Sequence, residues 1–338
     1  MKMNKNVFNP FFPWKCLTFP NQIQGIISGE FLPPVIAHVY PTNLCNRSCE
    51  WCVMKALKKD GATLPKDIFS KLIDDLNTAK VPALHIVGGG EPTLYPHINI
   101  VSKFNGFKTI STNGIELTRE VAGLFDRVRI SVDAGTCTTY QMVSRVKPDV
   151  WAKLWGSIQE VTRGKRPYTV GLAMVANSLN WHEIPLFVRN AQDVKADFVH
   201  IRPAYYPKGT AQGDEVERLA PAMTAISRAA AIASPGVPVH TVTDKFEGFW
   251  TEKQYSKCLA TPLQAVVCAD GQLSICLDNH IKFGDLNNQG IWNIWGGPEH
   301  KRAIEQVNLD ECPRCMMGKA NEVIEHVFIN NDVIRELI

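Results

Sequence analysis

Between Val35 and Ala204 the chain alternates short, β-rich apolar runs with stretches whose apolar residues recur at helical spacing. The runs Val35–Pro41, Ala83–Gly88, Phe107–Thr112, Arg127–Val132, Tyr168–Ala176 and Asp197–Pro203 predict strands. Pro65–Thr78, Asp149–Thr162 and Trp181–Gln192 predict helices between them. Six strands, each followed by a helical stretch, imply a parallel sheet with right-handed crossovers, two units short of a closed eightfold barrel. The expectation is an α/β fold: a partial (β/α)6 TIM-like barrel with functional groups at the C-terminal ends of its strands.

A further helical pattern, Glu215–Ala233, closes this region, and Ser234-Pro-Gly-Val-Pro238 breaks it. The reading divides the chain into an extension over 1–34, a barrel over 35–235 and a small cysteine-bearing domain over 236–338. The extension carries Phe8, Phe11, Phe12, Trp14 and Phe19 among prolines and is expected to pack across the barrel as an irregular cover.

Composition narrows the class. With 45% apolar and 20% charged residues over 338, the chain is an ordinary globular one with room for a large core. A net charge of +3 does not call for a polyanionic partner, and nothing supports nucleic-acid binding beyond a small strip at Lys55, Lys58 and Lys59 near the cysteine loop, most simply a solvated helix face. No apolar run is long enough to span a membrane, and the proline-broken N-terminus does not read as a signal peptide, so a cytoplasmic location is expected. Ten cysteines in such a setting point to metal ligation rather than disulfides.

Three of them stand in Cys45-Asn-Arg-Ser-Cys49-Glu-Trp-Cys52. Three thiolates on one loop are one short of a closed tetrahedral site. They suit either half of a zinc site or a cubane iron–sulfur cluster with one iron left open. Gly88-Gly-Gly-Glu-Pro92 follows the second predicted strand, Ser111-Thr-Asn-Gly114 the third and Ser131-Val-Asp133 the fourth. Asn180 follows the fifth in an Asn-x-x-Asn-Trp context. Further on, Cys258-x12-Gly271-x4-Cys276 precedes Cys312-Pro-Arg-Cys315. Ala-Asp-Gly271 reads as a hairpin turn between two strand-borne cysteines, and a helix around Pro298–Gln306 would lead the chain back to the last pair. Four cysteines close a cubane or, alternatively, a zinc ribbon. Cys16 and Cys137 lack partners by spacing, and Cys268 reads as a buried thiol, the alternative being a ligand in competition with Cys258.

In these motifs the chain resembles the radical S-adenosylmethionine (SAM) superfamily with a C-terminal auxiliary-cluster segment of the SPASM or twitch type (a β-hairpin plus helix). The resemblance covers roughly residues 35–318. It implies a [4Fe-4S] cluster on Cys45, Cys49 and Cys52, with SAM chelating the open iron. A second [4Fe-4S] cluster would sit on Cys258, Cys276, Cys312 and Cys315. Trp51 would pack on the adenine; Gly89, Gly90 and Glu91 would bind the SAM amino group. Asn113 would stand near the ribose, Ser131 at the carboxylate or ribose, Arg145 near the carboxylate, and Asn180 at the same mouth. The activity implied is reductive cleavage of SAM to a 5′-deoxyadenosyl radical that abstracts a substrate hydrogen, with an external reductant such as flavodoxin or ferredoxin.

The outcome expected is dehydrogenation of a small-molecule sugar, aminocyclitol or nucleoside, the auxiliary cluster accepting the electron. A redox-neutral rearrangement, epimerisation or decarboxylation of a nucleoside, base adduct or peptide is the alternative, and a two-cluster electron carrier the non-enzymatic one. Peptide-modifying relatives commonly carry a leader-recognition domain before the barrel. Only 44 residues precede Cys45, which disfavours a ribosomal peptide. Sulfatase-maturing relatives place an aspartate directly after the cysteine matching Cys276; here Leu277 intervenes before Asp278. Asp278, Tyr205 and Lys208 are the candidate catalytic residues, with Arg202 and Tyr206 beside them at the end of strand six.

Overall fold

The computed structural model describes residues 13–206, 210–242, 253–277, 281–312, 315 and 317–330. Six predicted barrel strands form, β3 with its predicted bounds and the others shortened: β1 (Ile36–Val39), β2 (Ala83–Ile86), β3 (Phe107–Thr112), β4 (Arg127–Ser131), β5 (Thr169–Ala176) and β6 (Phe198–Pro203). They pair in parallel, each with its successor. β7 (Val239–Thr241), not foreseen, extends the sheet beside β6, and β8 (Gln264–Val267), the first strand of the expected hairpin, joins it in parallel beside β1, a pairing not foreseen. β9 (Gln272–Ser274) and β10 (Lys282–Asp285) then run antiparallel, giving the order β10-β9-β8-β1-β2-β3-β4-β5-β6-β7. The polypeptide assigned from sequence to a separate small domain thus supplies strands to the same sheet. At three residues β7 is too short to show an alternation of its own, and the pairing of β8 with β1 spans more than two hundred residues and leaves no local pattern.

The alternation inside each strand sorts its side chains onto two faces. Ala37, Val39, Leu84, Ile86, Ile110, Val128, Ile130, Val170, Leu172, Met174, Val199 and Ile201 are buried in one core beneath the covering helices. Those helices are α2 (Lys66–Thr78), α3 (Arg119–Ala122), α4 (Cys137–Ser144), α5 (Asp149–Thr162), α6 (Ile184–Asp193) and α7 (Ala211–Ala233), whereas α1 (Pro20–Ser28) packs in a separate cluster. The opposite face carries His38, His85, Ser111, Arg127, Arg129, Ser131, Phe198, His200 and Arg202, and becomes the inner wall of the barrel.

Phe8, Phe11 and Phe12 of the expected irregular cover lie outside the described residues; from Pro13 on the segment is largely helical. Pro13–Thr18 forms a 3₁₀ turn and α1 follows, started by Pro20 at its first position and ended by Gly29 in the left-handed conformation, φ +74°. Cys16, Ile23 and Ile26 pack on Ala260, Leu263, Ala320, Val323 and Ile324, so the segment grips the C-terminal region. Cys258 precedes a 3₁₀ turn and Cys276 lies beyond β9; both flank the hairpin rather than standing on its strands.

Glu183, at the start of α6, fastens the turn after β4. Its buried carboxylate accepts hydrogen bonds from the Gly135 and Thr136 N–H groups, at 2.7 and 3.1 Å, and from the Thr136 and Thr139 hydroxyls, at 2.6 and 2.7 Å. Burial alone would raise its pKa, but these donors outweigh it and hold the carboxyl below its ordinary value. Its stabilisation is therefore complete above the unfolded carboxylate pKa and is lost as pH falls through the folded value. Glu183→Ala is expected to cost about 1–3 kcal/mol at neutral pH, with the difference from wild type shrinking in acid. Denaturant melts at two pH values measure both.

Candidate active site

β1 runs into the loop that carries Cys45, Cys49 and Cys52, all half-buried at the C-terminal mouth of the barrel. The loop has no strand ladder, so its backbone is held by neighbours. Asn43 N–H donates to Ala62 O at 2.7 Å, Ser48 N–H to Ser144 O at 3.2 Å and Glu50 N–H to Val143 O at 3.2 Å.

The fastening side chain is one that the motif reading passed over. Arg47, 4% exposed, sits between the first two cysteines. Its Nη1 donates to Ser131 O at 2.7 Å, and its Nη2 donates to Asp133 Oδ2 at 3.1 Å and Ser144 Oγ at 2.5 Å. Its guanidinium lies over the Tyr140 ring, 5.2 Å from the centroid. Burial opposes its charge, but the Cys49 sulfur, Asp133 and Tyr140 outweigh that and raise its pKa above the ordinary value. Asp133 answers from a left-handed backbone, φ +64°, with Oδ1 accepting from Val175 N–H at 2.9 Å. Only the arginine's place inside Cys-x3-Cys could have flagged it. Lys58, read from sequence as a solvated cation, instead turns to the sulfurs. Burial works against its charge, yet Cys45 and Cys52 keep its pKa raised, and its Nζ donates to Arg47 O at 3.3 Å.

Gly88-Gly-Gly-Glu-Pro92 lies against this loop. Gly90 N–H donates to Thr42 O at 2.8 Å and Glu91 N–H to Leu44 O at 2.7 Å. A Cβ on Gly89 would collide with Asn43 Oδ1, and one on Gly90 with the Leu44 carbonyl oxygen. These glycines let two pieces of protein backbone meet. Glu91, 2% exposed, has its carboxylate fully engaged by protein donors. Oε1 accepts from Thr93 N–H (3.0 Å), Thr93 Oγ1 (2.8 Å) and Thr112 Oγ1 (2.6 Å), and Oε2 from Asn113 N–H at 2.6 Å. It therefore orients the end of β3.

Asn113 passes that order back to the cysteine loop, its Nδ2 donating to Asn46 Oδ1 at 2.6 Å. Ser131 ends β4 half-buried, with its carbonyl taken by Arg47. Asn180 is fully buried; its Nδ2 donates to Asp133 O (2.8 Å) and Val175 O (3.0 Å), and its Oδ1 accepts from Asn177 N–H (2.8 Å). It is a staple of the β5 turn. Arg145 caps α4 from a left-handed backbone, φ +53°, and its guanidinium ion-pairs with Glu50, next to half-buried Trp51. Of the catalytic candidates, Tyr205 follows β6 half-buried, whereas Lys208 and Asp278 lie outside the described residues.

At the second cysteine set, burial and the neighbouring Cys315 and Cys312 sulfurs push the Cys258 thiol up to about 12. Gathered thiols of this kind ionise readily only when a metal takes their charge. Asn321, absent from the sequence reading, ties the set together. Its Oδ1 accepts from Leu259 and Ala260 N–H at 2.8 and 2.7 Å, and its Nδ2 points to Cys315 Sγ at 3.8 Å. Met317 N–H donates to the same sulfur at 3.3 Å. Cys276 comes from the hairpin side, next to Leu277, whose carbonyl faces Tyr40 Oη at 3.5 Å. Cys268 is buried with Tyr40 and Val266 in an apolar cluster against which Met54, Leu57 and Leu277 pack. The donor chemistry fits clusters at both places: soft thiols, cations beside the first set and N–H donors on the second.

Comparison with known proteins agrees with this geometry. The family model described as the radical SAM superfamily matches residues 39–191, and that of the SPASM iron–sulfur cluster-binding domain matches 258–316. A tungsten-containing aldehyde ferredoxin oxidoreductase cofactor-modifying protein of Pyrococcus furiosus is 28% identical over 173 residues, 46% of this chain and 48% of that protein. The mycofactocin maturase MftC of Mycobacterium tuberculosis is 32% identical over 104 residues, 28% of this chain and 26% of the maturase. The chain thus spans at most about half the length of these curated relatives. In fold it is similar to Streptococcus suis SuiB bound to its precursor peptide SuiA (TM-score 0.65, 15% identity, 90% of this chain and 73% of that one). It is also similar to anSMEcpe with bound AdoMet (TM-score 0.60, 13% identity, 90% and 96% covered).

Two predictions follow from the site geometry. Asp133→Ala would leave the Arg47 guanidinium buried without its carboxylate and is expected to cost about 3–5 kcal/mol, read by denaturant unfolding. Asn321→Asp keeps the acceptor for Leu259 and Ala260 but removes the donor toward Cys315. It is expected to shift the potential of the cluster held there downward, measured by a spectroscopic redox titration.

Proposed function

We propose, on the premise that the chain belongs to the radical SAM superfamily, that this enzyme abstracts a hydrogen atom from a peptide substrate and completes a net dehydrogenation. Bound at Cys45, Cys49 and Cys52, a [4Fe-4S] cluster with SAM supplies the 5′-deoxyadenosyl radical that takes that hydrogen. The single observation that carries the reading is the clamp at the barrel mouth. The cysteine loop, the Gly89–Glu91 turn, the end of β3 and the end of β4 are joined by Arg47, Glu91 and Asn113 into one rigid rim. An electron carrier has no use for such a rim around a single cluster; a cofactor that must be held in one orientation does.

Within the rim, Gly89 and Gly90 offer backbone to the SAM amino group, while Glu91 acts indirectly, by fixing Thr112 and Asn113. Asn113 and Ser131 end strands beside the cysteine loop and are tied to it through Asn46 and Arg47, Trp51 stands half-buried on that loop, and Arg145 is joined to it through Glu50. Asn180 shapes the mouth by holding the Asp133 turn. Dehydrogenation needs an electron acceptor as well as a base. Cys258, Cys276, Cys312 and Cys315 would hold the acceptor, and Leu277, packed with Tyr40, Met54 and Leu57, brings that segment to the edge of the first cysteine loop.

The peptide assignment is supported by the maturase and by the peptide-bound fold relative. A sugar, aminocyclitol or nucleoside, the substrate class expected from sequence, has no comparable support among these relatives. Anaerobic reconstitution is expected to give about eight irons per chain and, with dithionite and SAM, 5′-deoxyadenosine. Transfer of deuterium from labelled peptides, but not from labelled sugars or nucleosides, into 5′-deoxyadenosine would identify the substrate class. Full iron loading without SAM cleavage under any reductant would overturn the enzyme assignment.

A further inference from the structure

The inner wall of the barrel is positively charged. Arg127 and Arg129 project from β4 and Arg202 from β6, on the face opposite the apolar core. Arg129 lies two residues before Ser131, roughly 7 Å deeper than the mouth. Its Nη1 donates to His200 Nδ1 at 3.5 Å, and its buried Nε has no partner. Arg127 is held between the Phe107 and Phe198 rings, 5.9 and 5.3 Å from their centroids, and its Nε too is buried and unpartnered. Among the described residues, no ion pair involves Arg127, Arg129 or Arg202. Asp133, the carboxylate acting on Arg129, already has both oxygens engaged, by Arg47 and by Val175 N–H.

The surroundings register this excess. Burial and then the Arg202 charge bring Arg129 down to about 10. Burial, His38 and Arg129 depress His85, and burial with Arg127 depresses His240, so these imidazoles are kept from adding further positive charge to the wall. Burying a cation without an anion is costly, and a purely structural wall would be better served by apolar side chains. Arg129 touches His200, and Arg202 is the next inner-face residue along β6, so two guanidinium groups stand at successive positions of one wall; guanidinium forks are suited to a planar, bidentate anion.

We propose that Arg129 and Arg202 form an anion-receiving subsite that anchors the substrate by a carboxylate, either an acidic side chain or a C-terminus. The carboxylate identity rests on the peptide reading above; the anion site itself does not. The anchor fixes how deep the substrate enters and therefore which carbon stops at the mouth below Ser131.

The test uses the reconstituted protein under anaerobic conditions, titrated with glutarate, with inorganic phosphate and with neutral glutaramide. Melting temperature and calorimetric affinity are the readouts. Wild type is expected to bind glutarate and to ignore glutaramide. Arg129→Gln and Arg202→Gln should each weaken glutarate by about tenfold or more, with Arg129→Lys intermediate because it keeps charge but loses the fork. In anion-free buffer Arg129→Gln should melt no lower than wild type, since it removes an uncompensated buried charge. A lower melting temperature there would assign the guanidinium to the fold and overturn the proposal. Glutarate binding unchanged in both glutamine variants, or abolished by saturating SAM, would also overturn it, the latter by placing the anion at the cofactor's own site. Phosphate binding tenfold tighter than glutarate would overturn the carboxylate assignment. Should Arg129→Gln fail to fold, Arg202→Gln and Arg129→Lys decide the matter. Formation of 5′-deoxyadenosine by the wild type is scored separately, so failure of the anion site and failure of the enzymatic reading are distinguishable.

Discussion

The guanidinium of Arg47 is buried, and a buried charge is tolerated only where its surroundings answer it on several sides. That requirement dictates where three otherwise independent pieces of chain must be. The end of β4 has to present the Ser131 carbonyl and the Asp133 carboxylate, and α4 has to end with Ser144 in reach and with Tyr140 beneath the charge. Asp133 can do so only from its left-handed backbone, which Asn180 and Val175 N–H in turn hold. The cysteine loop has few hydrogen bonds of its own, so it takes its shape from this arrangement. The spacing of three thiols along the sequence becomes a spacing in space because the arginine between them is fixed.

Most of the barrel was legible, and for a common reason. β3 and α5 appear with their predicted bounds because period-2 burial and helical spacing act over six or more residues. The motif residues fell where they were expected, at the strand ends, because turns are where glycine and asparagine are needed. What the motifs concealed was the direction of the side chains. Glu91 and Asn180 look like ligand contacts in sequence but direct their polar atoms to backbone N–H and carbonyl groups. Arg47, Asn321 and Glu183 work by the same kind of contact and carry no motif. Hydrogen bonds between residues 47 and 131, 321 and 260, or 183 and 135 leave no trace in local spacing. β7, and the joining of β8 to β1, were missed because each is specified by the edge it meets rather than by its own pattern.

The placement of β8 has a consequence for electron flow. Had the second cysteine set stood in an independent domain, its distance from the first would depend on a linker. Instead β8 hydrogen-bonds in parallel to β1, the strand that leads into the first cysteine loop. The inner-face residues Val266 and Cys268 pack on Tyr40, and Leu277 closes the same cluster against Met54 and Leu57. Cys276 is one residue away from that contact. The segment that carries Cys276 is therefore tied to the first cysteine loop through one strand pairing and one apolar cluster.

Charge divides the interior into two zones that are handled in opposite ways. At the mouth the buried charges of Arg47, Glu91 and Glu183 are answered, the first by Asp133 and the other two by hydroxyl and N–H donors. Arg129 meets His200, and Arg202 stands one inner-face position above that histidine at the end of β6, so the two arginines occupy successive levels of the wall and the Arg202 charge acts on Arg129. Among the described residues neither takes part in an ion pair. The rim around Arg47 is cross-linked by its own hydrogen bonds. At the subsite proposed for Arg129 and Arg202 an arriving molecule would supply the anion, and the favourable pairing it gains on entry is what would draw the rest of that molecule up against the reactive rim.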